Sequence, residues 1–300
     1  MMADATSGAA FVKPADLNDR PQDRHIGDLI RDARNLTAEE VERVLRYQRD
    51  QGVRFGEAAV ALGLASPDDV LNALAQQFHY PLASAERRDA SPELVTLTQP
   101  FSVQAEAVRA VRSQVTMRWN KPDAPRQALA VISPEVGDGK TFFAANLAVS
   151  LAQLGGRTLL IDADLRNPRQ HEVFRVPNGA GLSTLLSGRA ESQVIQAVDG
   201  VAGLFVLPCG PIPPNPLELI ERPAFGLLMR ELASKFDHIV IDTAAASLGA
   251  DACVVAAKCG AALVLTRKHE NKVIALQDLV ASLAGSNAQL VGAVVNEFAS

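Results

Sequence analysis

Three hundred residues with 48% hydrophobic content carry enough apolar surface for one large or two unequal domains, which excludes a chain disordered throughout. Twenty-nine basic against 34 acidic residues leave a formal charge of −5, so no global positive field recruits nucleic acid and no nucleic-acid partner is expected. Three cysteines, Cys209, Cys253 and Cys259, show neither CxxC spacing nor a neighbouring histidine cluster, which argues against a zinc site or disulfide framework and fits a reducing cytoplasm.

The first residues, MMADATSGAAFVKPADLNDRPQD, lack an apolar signal core, and 1–23 read as a mobile tail that buries too little apolar surface to order itself. No uninterrupted apolar run reaches bilayer-spanning length, so membrane association is expected only through a partner.

From 24 to 82 the chain repeats itself. HIGDLIRDARNLTAEEVERVLRYQ from His25 aligns with RFGEAAVALGLASPDDVLNALAQQ from Arg54, pairing Gly27 with Gly56, Asp28 with Glu57, Val41 with Val70, Leu45 with Leu74 and Gln48 with Gln77. Each copy has a short helical stretch, a break and a second helix opened by a cap, Thr37 before AEE or Ser66-Pro67 before DD. Side-chain oxygens there take orphan amide hydrogens, and the acidic first turn suits the helix dipole. The spacing predicts a small all-helical domain. Residues 83–104 carry Pro92 and Pro100 and no sustained period, which reads as a linker with room for one helical turn.

From 105 to 300, helix and strand patterns alternate. Short Val/Ile/Leu-rich runs at 128–133, 157–162, 204–208, 238–242, 261–266 and 290–295 are separated by helical stretches such as TFFAANLAVSLAQLG and AFGLLMRELASKF. Such strands require a mainly parallel sheet covered on both faces, so a three-layer α/β sandwich follows the all-α domain.

The first strand runs directly into SPEVGDGKT, 133–141, and then into a helix, the context of a phosphate-cradling P-loop. Gly137 and Gly139 allow backbone amides to approach phosphates, Lys140 can reach the β and γ phosphates, and Thr141 can ligate magnesium. Pro134 stands where the strict GxxxxGK[ST] pattern has its first glycine. The second strand ends LLIDADLRNPR, placing Asp162 and Asp164 at the carboxyl end of a parallel strand with Arg166 two residues on. That position faces the crevice where such sheets bind ligands, although a capping aspartate with a surface salt bridge fits the same residues. HIVIDTAAAS sets a third carboxylate, Asp242, at another strand end, the pattern of a group that holds a metal through water.

Together SPEVGDGKT, LLIDADLRNP, GLSTLLSG from Gly181, LPCGPIPPNPLELI from Leu207 and VIDTAAA resemble the catalytic domain of bacterial tyrosine kinases that control capsule and exopolysaccharide assembly. The resemblance covers roughly 104–298. By itself GPIPPNPLEL, 210–219, reads only as a rigid, proline-preset connection. The resemblance implies that Gly137, Asp138, Gly139, Lys140, Thr141 and Phe142 hold ATP. It implies further that Thr141 and Asp164 organise magnesium with Asp242 behind a water, that Asp162 orients or deprotonates the attacking group, and that Arg166 binds phosphate or the neighbouring carboxylates. In the family an ExxRxxR motif mediates ring-like oligomerisation. Here Glu106, Arg109 and Arg112 match it, though three-residue spacing alone equally describes a solvated charged face.

The expected partners are a transmembrane chain-length-determinant activator, other copies of the chain in a ring, and a protein tyrosine substrate, with the chain cytoplasmic and peripheral at the inner membrane. The family's tyrosine-rich tail is not matched: the chain ends VVNEFAS and its two tyrosines are Tyr47 and Tyr80. The family's loop proline is Val136, and the prolines that often follow its third motif are Ala244 and Ala245. A partition-type ATPase shares the fold but carries a lysine early in its loop, where this chain has Glu135. A regulator that binds ATP without kinase activity stays open as the alternative function.

The repeat looks like the amino-terminal module of secretion and pilus ATPases, which in some members binds cyclic di-GMP. By that resemblance Arg24, Gln48, Arg54 and Gln77 are candidate ligand contacts, through stacking, phosphate pairing or hydrogen bonds. The alternative is a docking domain whose glycines and leucines serve only helix packing.

Overall fold

The computed structural model describes residues 25–77, 90–119, 126–189 and 193–297. The tail at 1–23, Arg24, Tyr80 and the first part of the expected linker lie outside the described residues. The chain forms two compact units divided after Leu82.

The first unit is four helices: α1 (Ile26–Arg34), α2 (Ala38–Gln51), α3 (Phe55–Ala61) and α4 (Pro67–Gln77). Thr37 caps α2 through a reciprocal box, with Glu40 N donating to Thr37 Oγ1 at 3.3 Å and Thr37 N to the Glu40 carboxylate at 2.8 Å. Ser66 and Asp69 repeat the device at α4, with Ser66 N to Asp69 Oδ2 at 2.6 Å and Asp69 N to Ser66 Oγ at 3.2 Å. The two copies interlock: α1 packs on α4 and α2 on α3. Their shared core of Leu29, Ile30, Val44, Ala58, Ala59, Ala65 and Ala73 belongs to neither copy alone. Gly56 is required there, because a Cβ would stand 2.6 Å from Val70 Cγ1.

The second unit holds a seven-stranded sheet in the order β3-β4-β2-β5-β1-β6-β7, with β1 (Ala128–Ile132), β2 (Thr158–Ala163), β3 (Gln196–Ala197), β4 (Leu204–Leu207), β5 (His238–Thr243), β6 (Gly260–Arg267) and β7 (Gln289–Asn296). Every expected strand is present, and all pairings are parallel except β3 with β4. The two-residue β3 is too short to leave a periodic signal.

Alternation assigns the sheet's two faces. Ala128, Ala130, Ile132, Leu159, Ile161, Ile239 and Ile241 point into one core, covered by α10 (Pro216–Glu221), α11 (Pro223–Lys235), α12 (Asp251–Cys259) and α13 (Val273–Ala284). Leu129, Val131, Leu160 and Val240 point into the other, beneath α5 (Val95–Thr98), α6 (Val103–Trp119), α7 (Lys140–Ala152) and α8 (Gln170–Phe174).

Two expectations are corrected. The segment read as a proline-preset connection at 210–219 enters a helix, because Pro216 at the first position of α10 loses no helical hydrogen bond there. The other is the expected linker, whose helical turn is present as α5 but is packed into the core. Leu94, Val95 and Leu97 are buried, and Asn146 of α7 accepts from Thr96 N and Oγ1 at 3.0 Å each while donating to Glu93 O at 2.8 Å. A buried polar hub holds this segment, and periodicity cannot report it.

The GLSTLLSG motif, which forms α9 (Leu182–Leu186), lies against the 207–212 segment. Leu182 N and Ser183 N donate to Pro208 O and Cys209 O at 2.8 Å each, and a Cβ on Gly181 would stand 2.1 Å from Pro208 O. Asn146→Ala is expected to lower unfolding free energy by about 2–3 kcal/mol in urea titration, because it strands Thr96 N and Oγ1 in the core.

Candidate active site

Period-two alternation carries Asp162 and Asp242 onto the sheet face that bears α7. β2 and β5 are neighbours, and Asp162 is the register partner of Asp242. The α7 helix begins at Lys140 just beyond β1, so the loop, both carboxylates and a helix amino terminus meet at the carboxyl edge of the sheet.

The loop is held from three sides. Gly137 (φ 87°) and Gly139 (φ 95°) take left-handed backbone that side chains resist. Asp138 Oδ2 accepts Glu135 N at 2.9 Å, Ser133 Oγ donates to Glu135 O at 2.9 Å, and Asn296 Nδ2 at the end of β7 donates to Asp138 O at 3.0 Å. A Cβ on Gly139 would stand 2.5 Å from that Asn296 nitrogen. The first N–H groups of α7 lack intrahelical partners and favour an anion.

Lys140 Nζ, almost fully buried, donates to Ser133 Oγ at 2.9 Å. Burial pushes the Lys140 pKa down, opposed by Asp242, Asp164 and Asp138. Asp162 is wholly buried, with Oδ1 accepting Asp164 N at 3.2 Å and Oδ2 accepting Gln170 N at 2.9 Å. Burial, reinforced by Asp242, holds its pKa well above the usual carboxylate range. Burial likewise raises Asp242 to about 6, against hydrogen bonds from Thr141 and Gln170 and the charge of Lys140. Cys209 beside them is an inert thiol, pushed up to about 12 by burial and by Asp162 and Asp164.

Asp164 turns the loop after β2, its Oδ1 accepting Arg166 N at 3.1 Å and Asn167 N at 2.9 Å. The Arg166 guanidinium is held at the start of α12, its Nε and Nη2 donating to Asp251 Oδ2 at 3.2 and 2.9 Å, and Arg166 meets Asp164 through its backbone N–H. Asp251, 85 residues away, left no sequence signal of the pairing. Phe142, on the first turn of α7, offers its carbonyl to Asn146 Nδ2 at 2.9 Å. A groove of about 570 Å³ opens in the loops after β2 and β4, lined by Arg166–Arg169, His171, Glu172, Asn178 and Gly210–Ile212, and Arg166 is its nearest link in sequence to Asp164.

The three ExxRxxR residues are engaged within the chain. Arg109 pairs with Glu106 at 2.7 Å, and Arg112 Nη1 donates to Ser150 O and Oγ at 2.9 and 3.1 Å, tying α6 to α7. Among the cyclic di-GMP candidates, Arg54 is exposed at the start of α3, while Gln48 and Gln77 are half-buried on α2 and α4.

Residues 129–300 match the model of the CobQ/CobB/MinD/ParA nucleotide binding domain. Tyrosine-protein kinase YwqD of Bacillus subtilis is 35% identical over 205 residues, spanning 68% of this chain and 85% of YwqD. The chain belongs to the bacterial tyrosine-kinase family. Another member, tyrosine-protein kinase wzc of Salmonella typhimurium, is 30% identical over 210 residues, which is 70% of this chain and 29% of wzc. The kinase domain of the Escherichia coli tyrosine kinase ETK superposes with a TM-score of 0.66 at 29% identity, covering 71% of this chain and 83% of that one. The span matched by the nucleotide-binding model, 129–300, includes the loop and carboxylates described above.

Asp242 titrates near 6 when folded against an ordinary value near 3.8, so the native state keeps a proton that the unfolded chain has lost between those values. Stability therefore falls as pH rises through that window. Asp242→Asn is expected to raise the unfolding free energy of the magnesium-free protein by about 1–3 kcal/mol at pH 7.5, a gain that fades toward pH 4 in denaturant titrations.

Proposed function

We propose that the chain is an ATP-dependent protein-tyrosine kinase acting in the polymerisation, export and chain length of a surface polysaccharide. The observation that carries this reading is the meeting of Lys140, Thr141, Asp162 and Asp242 at one end of the sheet, beside a helix amino terminus.

Phosphoryl transfer asks for positioning and charge neutralisation. The amides from Gly137 to Phe142 and the Lys140 ammonium would cradle ATP phosphates, with Ser133 holding the ammonium in place. Magnesium fits the residues present. Asp242 Oδ1 is a buried acceptor without a partner among the described residues, as a group that binds an ion through water would be. No cluster of three or more His, Cys, Asp or Glu converges among the described residues, and magnesium held mainly by phosphates and water needs none. Thr141 and Asp164 would hold the ion directly, and the bound ion would neutralise charge on the transferring group. Asp162, whose raised pKa makes it a strong base once Lys140 and the bound ion hold it ionised, would then orient the acceptor hydroxyl and take its proton as the phosphoryl group passes from ATP to the hydroxyl oxygen.

The acceptor tyrosine would enter through the groove between Arg166–Glu172 and Gly210–Ile212. Residues 83–300 contain no tyrosine, so the acceptor for this unit is a partner protein or lies outside that stretch. No helix of the described residues is long and apolar enough to cross a membrane, so a cytoplasmic chain would reach the inner membrane through a transmembrane chain-length-determinant activator. In wzc the matched region is under a third of the protein, which accords with this domain working beside further family modules. A homo-oligomeric ring would use Glu106, 71% exposed, with Arg109, while Arg112 braces α7 within the chain. The helical unit would serve docking, since it builds its own core while Leu45 on α2 stands exposed.

The absence of tyrosine from 83–300 also favours one second reading, a regulator that binds ATP without kinase activity. The full chain, incubated with magnesium and radiolabelled ATP with and without the activator's cytoplasmic segment, distinguishes the two. Phosphotyrosine located by mass spectrometry is expected to fall at least ~100-fold in Lys140→Ala. ATP binding with no phosphotyrosine under either condition favours the regulator.

A further inference from the structure

Gln170 opens α8, eight residues beyond Asp162, and is wholly buried. Its backbone N–H donates to Asp162 Oδ2 at 2.9 Å, and its side-chain Nε2 donates to Thr141 O at 3.1 Å and to Asp242 Oδ2 at 2.9 Å. One residue therefore bonds to the first turn of α7, to the end of β2 and to the end of β5. The amide orientation is decided by chemistry, since both neighbours of Nε2 are acceptors and a flipped amide would set Oε1 against a carbonyl and a carboxylate.

Asp242 has a competing partner. Lys140 lies close enough for the two charges to act on each other, and a carboxylate turned onto that ammonium would neutralise the group needed by ATP phosphates. The Gln170 hydrogen bond fixes Oδ2 and leaves Oδ1 as the unpartnered oxygen, with Gln170 Oε1 a second buried acceptor lacking a partner among the described residues. Buried acceptors of this kind are satisfied by an ordered water or by a donor that arrives with a ligand.

We propose that Gln170 is a positioning residue that holds Asp242 away from Lys140 and toward the magnesium–nucleotide. The proposal rests on the nucleotide-site reading above. Gln170→Met preserves length and volume and the backbone bond to Asp162 while removing the Nε2 donors; Gln170→Glu replaces them with an acceptor.

ADP binding to the full chain is measured by calorimetry with and without magnesium chloride, beside thermal melts. Wild type is expected to bind ADP more tightly with magnesium. In both variants ADP affinity without magnesium falls about two- to threefold as Asp242 turns onto Lys140, whereas the magnesium-dependent gain falls at least about tenfold, the usual scale for a residue that orients a metal's ligand. Phosphotransfer by the variants is expected to need correspondingly more magnesium, with the KM for ATP at saturating magnesium little changed.

An undiminished magnesium-dependent gain in either folded variant overturns the proposal. Equal loss of ADP affinity with and without magnesium does so as well, because it marks a general packing role, and so does unfolding of both variants. A wild type with no magnesium-dependent gain overturns instead the site reading on which the proposal rests. Because the readout is binding, it stands apart from the phosphotyrosine assay.

Discussion

Two carboxylates stand opposite one another at the ends of neighbouring parallel strands, and neither reaches solvent. Asp162 and Asp242 are register partners with no measurable exposure, so each destabilises the charged form of the other and both lose the hydration that would offset it. Such a pair persists only where the surroundings supply donors and cations. Most of what surrounds it does so: backbone N–H groups of Asp164 and Gln170, the Gln170 amide, the Thr141 hydroxyl and the Lys140 ammonium. The same groups suit a polyanion with its counter-ion, which would replace the missing hydration. The cost of burying these carboxylates and the affinity of the site for such a ligand have a common origin.

The scaffold explains how such a site can be held. Every strand flanking it is buried on both faces, and the two cores clamp β1, β2 and β5 from opposite sides. The flanking loops are then anchored by long-range side-chain bonds at their backs. Asn296 grips the phosphate loop at Asp138 O, Asp251 grips Arg166, and Asn178 Oδ1 grips Gly210 N at 2.7 Å. Glu93, ahead of α5, meets Arg169 of the loop after β2 at 2.6 Å, so the segment entering the second unit touches the site's rim. Loops carry the chemistry here, but their geometry is set by residues from distant elements.

The helical unit obeys a different rule. Its duplicated sequence builds one core because each copy lends a helix to the other, so neither copy could fold around its own few apolar side chains. The small residues Gly56, Ala58 and Ala59 allow α3 to approach its neighbours closely, and the paired caps at Thr37 and Ser66 start the longer helices at equivalent points.

The sequence by itself determined the α/β class, six of the seven strands, both helix caps of the repeat and which motif residues gather at the carboxyl edge of the sheet, because these depend on local periodicity and on short motifs read along the chain. Gly137, Gly139, Lys140, Asp162 and Asp242 were legible for that reason. Only the tertiary structure decided that Asp162 faces Asp242, that Arg166 belongs to Asp251, that Arg112 braces α7 and that Gln170 joins three segments. Strand order and register bring together residues tens of positions apart, and a polar side chain such as Gln170 or Asn146 looks the same in sequence whether it meets water or a buried carboxylate. The nature of its partner is set by packing, which no local pattern records.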